Sequence, residues 1–199
     1  MNILFWSGGK DAYLALEFFR ENHPDTEVRL LTTYDETDEI VPHQKIKLSD
    51  IKKQAIDLGL ELITVPLPPN CSNEIYLNRL QKVLDNLNEP VEHLIFGDLY
   101  LEDIRRWREK VFGKMGYSCI FPIWKKSIHD LLPVLLLKPV EVRISAVKEE
   151  FQPLIAVGET FDQKFVTQLE HLPQDIDPLG ENSEFHTHVI FKGLDKEET

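Results

Sequence analysis

Apolar and polar positions alternate in a regular way over the first hundred residues of the chain. Short continuous apolar runs, typical of strands buried in a parallel sheet, are followed by runs with apolar residues three and four apart, which predict helices. The predicted strands are 2–6, 28–34, 61–67 and 91–96, and the helices between them are 11–22, 46–58 and 73–88. Gly59 follows the second helix in the manner of a C-cap. This order predicts an α/β fold with a doubly wound, mostly parallel sheet.

Beyond residue 100 the pattern becomes less regular. It predicts a helix over 101–115, a strand over 117–124, a helix over 127–137 that begins at the N-cap Ser127, and a strand over 140–148. Pro133 is expected to kink or break its helix. A segment 151–157, a helix near 162–172, a linker 173–178 and a strand through 185–191 complete the chain. We expect a main domain over 1–125 and a small C-terminal α+β lobe over 126–199.

The turn between the first strand and the first helix carries the strongest chemical signal. Its residues are Ser7, Gly8, Gly9, Lys10 and Asp11. Two adjacent glycines let successive backbone N–H groups converge, and the positive end of the helix dipole, the Ser7 hydroxyl and the Lys10 ammonium reinforce that concavity. The turn therefore predicts a phosphate or pyrophosphate site, with a plain strand–helix turn as the alternative. Its spacing is neither the Walker pattern nor a dinucleotide fingerprint.

Ligands of doubly wound sheets bind at the carboxyl ends of the strands. That edge would hold the glycine turn, residues 34–39, residues 67–70 and the pair Gly97 and Asp98. The acidic stretch 35–39 within it reads more readily as a solvated connection than as a site.

The charge and the cysteine content of the chain limit which binding partners and which cell compartment are expected. Lysine and arginine number 22 against 34 aspartates and glutamates, a formal net charge of -12, which disfavours non-specific binding to nucleic acid or to an anionic membrane. No apolar run approaches the roughly 20 residues that span a bilayer, and an apolar strand at the N-terminus disfavours a signal peptide. Cys71 and Cys119 form neither a metal-binding spacing nor a disulfide framework. A cytoplasmic protein is expected, with its oligomeric state open and a homo-oligomer among the options.

Two further segments leave alternatives open. Residues 101–126 hold seven lysines and arginines against three acidic residues, which fits either a charged helix surface paired with Glu102 and Glu109 or a patch that faces an anionic ligand. On the last strand, Glu184, His186 and His188 share one face under a period of two. A polar solvent face is the favoured interpretation of that trio, and a metal site is the other.

Several segments of the chain resemble motifs of a known superfamily. Ser-Gly-Gly-Lys-Asp after an N-terminal strand is similar to the Ser-Gly-Gly-x-Asp-Ser pyrophosphate loop of the ATP-pyrophosphatase (PP-loop) superfamily, although Ala12 stands at the last serine. Gly97-Asp98 with the following Leu101, Glu102, Arg105, Trp107 and Glu109, and then Phe121-Pro122-Ile123-Trp124, resemble blocks of the diphthine–ammonia ligase family. Gly180-Glu181-Asn182 with Glu184-Phe185-His186-Thr187 resembles its C-terminal motif, in a form similar to the bacterial branch.

The resemblance implies a fold, a reaction and a set of residues. The fold would be HUP-like (adenine nucleotide alpha hydrolase-like), with 1–125 as the ATP-binding domain and 126–199 as a substrate-side lobe. The reaction would be an ATP-dependent amide formation in which a substrate carboxylate is adenylated, pyrophosphate leaves and ammonia or an amine displaces AMP. ATP binding falls to Ser7, Gly8, Gly9, Lys10, Asp11, Thr33, His43 and Gly97. Catalytic roles fall to Lys10, Asp11, Asp98, Arg105, Glu181, Glu184 and His186, with Mg²⁺ on Asp11 and Asp98.

Two other functions are weighed against this ligase. A tRNA-modifying PP-loop enzyme of the thiolating kind would use sulfur-carrying cysteines and a basic surface, and the net charge of -12 with two unpatterned cysteines argues against it. A non-catalytic ATP or AMP sensor would keep the glycine turn but would have little use for Asp98, Arg105 and the C-terminal Glu/His cluster.

Overall fold

A computed structural model describes residues 1–172 and 174–192. Within them the main sheet has seven strands, and its parallel strands run in the order β5-β2-β1-β6-β7. Its strands are β1 (Asn2–Phe5), β2 (Val28–Asp35), β3 (Ile40–Val41), β4 (Ile46–Lys47), β5 (Leu62–Leu67), β6 (His93–Ile95) and β7 (Ser118–Ile120). The chain reverses its direction of winding between β1 and β6, so the crevice of this doubly wound sheet opens beside β1.

Helices cover both faces of the sheet. They are α1 (Lys10–Asn22), α2 (Leu48–Leu58), α3 (Asn73–Asp85), α4 (Glu102–Lys114), α5 (Ile128–Leu136) and α6 (Gln163–Glu170). Helices α3 and α4 share one hydrophobic cluster with the sheet, through Leu80 and Phe112, whereas α1, α2, α5 and α6 share the other. The expected α/β, doubly wound, mostly parallel fold is therefore confirmed. None of the described helices is long and apolar enough to cross a membrane.

Several predicted boundaries differ from the structure. Residues 40–47, expected as a loop and the start of a helix, form the antiparallel β3–β4 hairpin, with left-handed φ angles at Glu39 and Lys45. The strand expected over 117–124 ends at Ile120, and the chain then turns. Segment 151–157 is mainly turn, preceded by the 3-10 helix Glu149–Phe151. The predicted caps hold, since Gly59 has φ 64° and Ser127 forms a capping box with Asp130. Pro133 lies inside α5.

The C-terminal part of the described chain forms a second, two-stranded antiparallel sheet. It consists of β8 (Val140–Val147) and β9 (Phe185–Phe191), with a bulge between Ile144 and Ala146. Strand β9 packs against α1 and α2 and contributes Phe185 and Val189 to the larger core cluster. The division at residue 125 stays a prediction. Pro173 of the predicted linker, and residues 193–199 of the predicted lobe, lie outside the described residues.

Candidate active site

A cavity of about 800 Å³ lies at the carboxyl edge of the parallel sheet. Its lining comes from the turn after β1, the end of β2, the β3–β4 hairpin and the segment after β6. Helices α3 and α4 form one wall, and the segment 179–187 forms another. The cavity therefore occupies the crevice in which doubly wound folds bind their ligands.

The glycine turn is held in place by two elements, helix α2 and strand β9. Gly8 has φ 81°, and a Cβ there would lie 2.6 Å from Ile51 Cδ1 and 2.9 Å from Gln54 Oε1, so only glycine fits this left-handed position. The Gly8 carbonyl accepts hydrogen bonds from Gln54 Nε2 at 3.0 Å and from the Val189 amide at 2.9 Å. Helix α2 and strand β9 thus fix the turn together.

The turn presents the backbone N–H groups that an anion site needs. The Gly9 amide lies 3.4 Å from Ser7 Oγ, and the Lys10 amide donates to Thr187 Oγ1 at 3.0 Å. Among the described residues, the amides of Asp11 and Ala12 have no hydrogen-bond acceptor. Unpaired amides at a helix start, together with the helix dipole, form an anion-binding site.

Lys10 is buried in its present position. Its ammonium donates to both Asp11 carboxylate oxygens, at 2.8 and 3.0 Å, and to the Leu179 carbonyl at 2.5 Å. The side chain is only 3% exposed. Lys10 and Asp11 both line the cavity, but the lysine also joins the glycine turn to the C-terminal segment.

Gly97 and Asp98 stand directly beside the start of α1. A Cβ on Gly97 would lie 2.7 Å from the backbone carbonyl carbon and oxygen of Asp11, so glycine permits this close approach. Asp98 is paired with Arg108, whose Nη2 donates to Asp98 Oδ1 at 3.2 Å. Arg108 Nε lies 2.7 Å from Asp98 Oδ2, but both atoms are buried without a hydrogen bond of acceptable geometry among the described residues.

Arg105 is not part of the cavity lining. Its Nε bonds Glu109 at 2.9 Å, and its guanidinium lies over the rings of Phe121 and Trp124. Arg106 similarly pairs with Glu102. Arg105 and Arg106 are therefore paired along α4, as the charged-surface interpretation expects, whereas Arg108 pairs with Asp98 and lines the cavity.

The predicted C-terminal site residues occupy different environments. Glu181 lines the cavity, where burial and the neighbouring Asp11 raise the pKa of its carboxyl to about 7. His186 also lines it, with its ring 6.0 Å from that of His43. Burial, and then His43, lower the pKa of His186 to about 4, so this imidazole is neutral at neutral pH. Thr33 and His43 lie on the same side of the cavity, at the end of β2 and in the hairpin.

Glu184 is absent from the cavity lining and is 2% exposed. Its carboxylate accepts from the amides of Asp177 and Asn182 and from Asn182 Nδ2. The described residues contain no cluster of three metal-ligating side chains, so Glu184, His186 and His188 do not form a metal site. They do not form a wholly solvent-exposed face either, because Glu184 is buried. The carboxylate instead turns into the preceding loop.

Four residues in or around the site are not among the site residues predicted from the sequence. Arg108 lies on the same helix as Arg105, and Trp107 reads as a core position. Thr187 falls on the apolar face of the last strand, and Gln54 is one polar residue within an amphipathic helix. Thr187 could have been found through the C-terminal motif, because it ends the Glu-Phe-His-Thr match.

The two candidate metal ligands fit Mg²⁺ by their chemistry. Asp11 and Asp98 offer carboxylate oxygens, the ligands that this hard cation prefers. The buried Asp98 Oδ2 has no hydrogen bond among the described residues. In the structure, however, each carboxylate is paired with a cation, Lys10 or Arg108, so a metal would compete with these pairs.

A glycine turn with unpaired amides at the switch point of a doubly wound sheet is typical of nucleotide-binding α/β proteins. The family described as diphthamide synthase N-terminal domain matches residues 1–119, more than half of the chain. The chain belongs to this family, within the PP-loop superfamily. Among curated proteins, no sequence matches.

Two solved structures are similar at low identity. The U34-tRNA thiolase NcsA from Methanococcus maripaludis, with its [4Fe-4S] cluster, is 15% identical over 68% of this chain and 55% of its own, with a TM-score of 0.44. A predicted subunit of tRNA methyltransferase from Methanocaldococcus jannaschii is 16% identical over 98% of this chain and 97% of its own, with a TM-score of 0.42. The chain thus spans just over half of the NcsA length, and neither likeness bears on function.

Proposed function

We propose that this protein is an ATP-dependent carbon–nitrogen ligase, which adenylates a substrate carboxylate, releases pyrophosphate and transfers ammonia or an amine. The observation that carries the proposal is the packing of Gly97 against the start of α1. Asp98, which follows Gly97 after β6, and the glycine turn after β1 thereby line one cavity. Membership of the diphthamide synthase N-terminal domain family supports the same reaction class.

In this proposal the glycine turn binds the leaving pyrophosphate. The amides of Asp11 and Ala12, the hydroxyl of Ser7 and the ammonium of Lys10 would donate to phosphate oxygens. Lys10 would first have to exchange the Leu179 carbonyl or Asp11 for the ligand. Gly97 keeps the backbone after β6 close to the turn, while Thr33 and His43 would contact the nucleoside end.

Asp11 and Asp98 would hold Mg²⁺, which when bound would neutralise negative charge as the bond between the α- and β-phosphates breaks. The substrate carboxylate oxygen attacks the α-phosphorus and gives an acyl-adenylate and pyrophosphate. Ammonia, or an amine, then attacks the acyl carbon, and AMP leaves with its electron pair. Glu181 lies in the cavity with a pKa near neutrality, which suits a group that accepts the proton released when ammonia attacks.

The decisive experiment identifies the products of nucleotide turnover. Purified protein is incubated with Mg-ATP, ammonium chloride and fractionated cell extract, and AMP plus pyrophosphate are separated from ADP plus phosphate. We expect AMP and pyrophosphate that depend on the extract, a loss of at least tenfold in the Asp11→Asn variant, and unchanged turnover in Asp57→Asn, which alters an exposed aspartate of α2. ADP and phosphate as products would refute the ligase.

The same assay separates the other candidate functions. Tight ATP binding without turnover, whatever extract is added, would indicate a sensor. Release of AMP that depends on tRNA would indicate a tRNA-modifying enzyme instead. Burial, and then Glu109, raise the pKa of Cys119 to about 11, so this thiol is protonated at neutral pH and is poorly suited to carry sulfur.

A further inference from the structure

Part of the cavity wall comes from α3 and α4, which share a different hydrophobic cluster from α1 and α2. The apolar and aromatic lining residues there are Tyr76 on α3, Ile104 and Trp107 on α4, and Phe5 on β1. The Tyr76 and Trp107 rings have centroids 6.3 Å apart at an interplanar angle of 36°. The two rings contact each other rather than enclosing a slot, so a ligand would lie beside the pair where it lines the cavity.

Arg108 also lines the cavity and is paired with Asp98. Its guanidinium lies over the Phe96 ring, 4.3 Å from the centroid, which fixes the plane of the fork. A guanidinium has five N–H donors, and among the described residues Asp98 accepts only one hydrogen bond from it. Arg108 Nε is buried without an acceptor of good geometry. Burial raises the pKa of Tyr76, and a hydrogen bond from Arg108 to its phenol oxygen opposes that rise. With one bond to Asp98 and one to Tyr76, the fork still has donor capacity for a further oxygen ligand.

We propose that Arg108, Tyr76 and Trp107 form the acceptor subsite of the cavity, which binds a carboxylate carried on a flat, apolar body. The inference rests on the proposed function, because a metal bound by Asp98 would deprive Arg108 of its counter-ion. A half-buried guanidinium without a counter-ion is costly, so a substrate carboxylate would restore the lost pairing. The planar fork suits bidentate carboxylate binding, and the aromatic walls suit the body of such a substrate.

The choice of Arg108 over Arg105 follows from what surrounds each side chain. Arg105 already bonds Glu109 and lies against Phe121 and Trp124, outside the cavity. Arg108 faces the cavity, beside the carboxylate proposed to hold the metal. A substrate bound there would have its carboxylate on the same side of the sheet edge as Asp98.

The test uses three small probes and a nucleotide that cannot be cleaved. The full chain, with Mg²⁺ and the α,β-methylene analogue of ATP, is titrated with 4-fluorobenzoate, 4-fluorobenzamide and fluoroacetate, and binding is followed by fluorine NMR. We expect 4-fluorobenzoate to bind about tenfold more tightly than either of the others, because only it supplies both the charge and the ring.

Variants locate the binding on Arg108. Arg108→Gln should weaken 4-fluorobenzoate about tenfold and leave 4-fluorobenzamide unchanged, while Arg106→Gln, an exposed arginine of the same helix, should change neither. Arg108→Lys keeps the positive charge but lacks the planar fork, so its affinity for 4-fluorobenzoate should lie between those of the wild type and Arg108→Gln. This variant keeps the test valid if Arg108→Gln misfolds. Equal binding of benzoate and benzamide, an unchanged affinity in Arg108→Gln, or no binding of 4-fluorobenzoate would overturn the subsite.

Binding of the ATP analogue is measured separately, and the titrations are repeated without it. If the analogue does not bind, the proposed function fails. In that case, an Arg108-dependent preference for 4-fluorobenzoate without nucleotide would still support the subsite. If this preference is also missing, both the proposed function and the subsite are wrong. If the analogue binds but the preference is missing, the subsite alone is wrong.

Discussion

Replacing Glu184 by glutamine should destabilise the fold rather than abolish chemistry alone. The carboxylate is 2% exposed, and its two oxygens share three donors. Oε1 accepts from the Asp177 amide at 3.0 Å and from Asn182 Nδ2 at 3.1 Å, and Oε2 accepts from the Asn182 amide at 2.9 Å. The loop fixed in this way carries Leu179, whose carbonyl holds Lys10, and Glu181 of the cavity.

Glutamine can keep one acceptor oxygen, but its NH₂ group would then face a donor. At least one charge-assisted hydrogen bond is lost, and one buried N–H is left without an acceptor. A hydrogen bond to a charged group contributes about 1.5–3 kcal/mol, so we expect Glu184→Gln to lower the free energy of unfolding by about 2–3 kcal/mol. Loosening of the loop should also weaken nucleotide binding, because Lys10 depends on it.

The assay is urea unfolding at fixed pH, with hydrogen exchange of residues 177–184 as a local measurement. The matched control is Glu150→Gln, which removes an exposed carboxylate paired with Lys148 and should change the free energy of unfolding by less than about 1 kcal/mol. A Glu184→Gln variant with wild-type stability and unchanged exchange, but no turnover, would refute this reasoning and return Glu184 to a catalytic role.

Three further predictions follow from contacts around the cavity. Gly97→Ala should lower the free energy of unfolding, measured in urea, by about 1–3 kcal/mol, because its new Cβ would lie 2.7 Å from the Asp11 backbone. In the control Gly113→Ala, inside α4, the new Cβ would have no atom within 4 Å, so this variant should raise the free energy of unfolding by about 0.5–1 kcal/mol. Gln54→Leu should lower the free energy of unfolding by about 2–4 kcal/mol in the same assay, because the Gly8 and Val189 carbonyls and the Trp6 indole N–H lose the hydrogen bonds that Gln54 makes with them. A loss smaller than that of an exposed-site variant would contradict this prediction. The pKa of Glu181 is raised to about 7 in the folded state, so near neutral pH the folded protein holds a proton that the unfolded chain has already released. The free energy of unfolding therefore falls as the pH rises toward that value. Glu181→Gln should remove about 1–3 kcal/mol of this loss between about pH 5 and pH 8, and parallel pH profiles of the two proteins would count against it.

The parallel sheet could be predicted because each of its main strands is an apolar run bounded by turn residues. The β3–β4 hairpin could not, since strands of two residues show no periodicity. Its pairing depends on tertiary contacts, such as the burial of Val41 and Ile46 in the core. That hairpin nevertheless places His43 in the cavity.

The glycine turn could be singled out as a candidate anion site because its residues are contiguous in the chain, and its binding of an anion stays a prediction. Arg108 could not be separated from Arg105, since the two are three residues apart on one helix and differ in their partners, Asp98 and Glu109. Glu184 shows the same limit, because a period of two places it beside His186, whereas the residue precedes β9 and its carboxylate bonds the loop. Side-chain orientation at such positions is decided by contacts distant in sequence.

The hydrogen bond between the Lys10 amide and Thr187 Oγ1 joins residues 177 positions apart. During translation the glycine turn is made long before β9, the strand that holds it. A nascent chain would therefore carry the turn for most of its synthesis without Thr187, Val189 or the Leu179 carbonyl in place, and contacts of this separation form late. Because a ligand that binds only the folded state stabilises it by mass action, a nucleotide bound as proposed would protect finished molecules from degradation and leave incomplete ones unprotected.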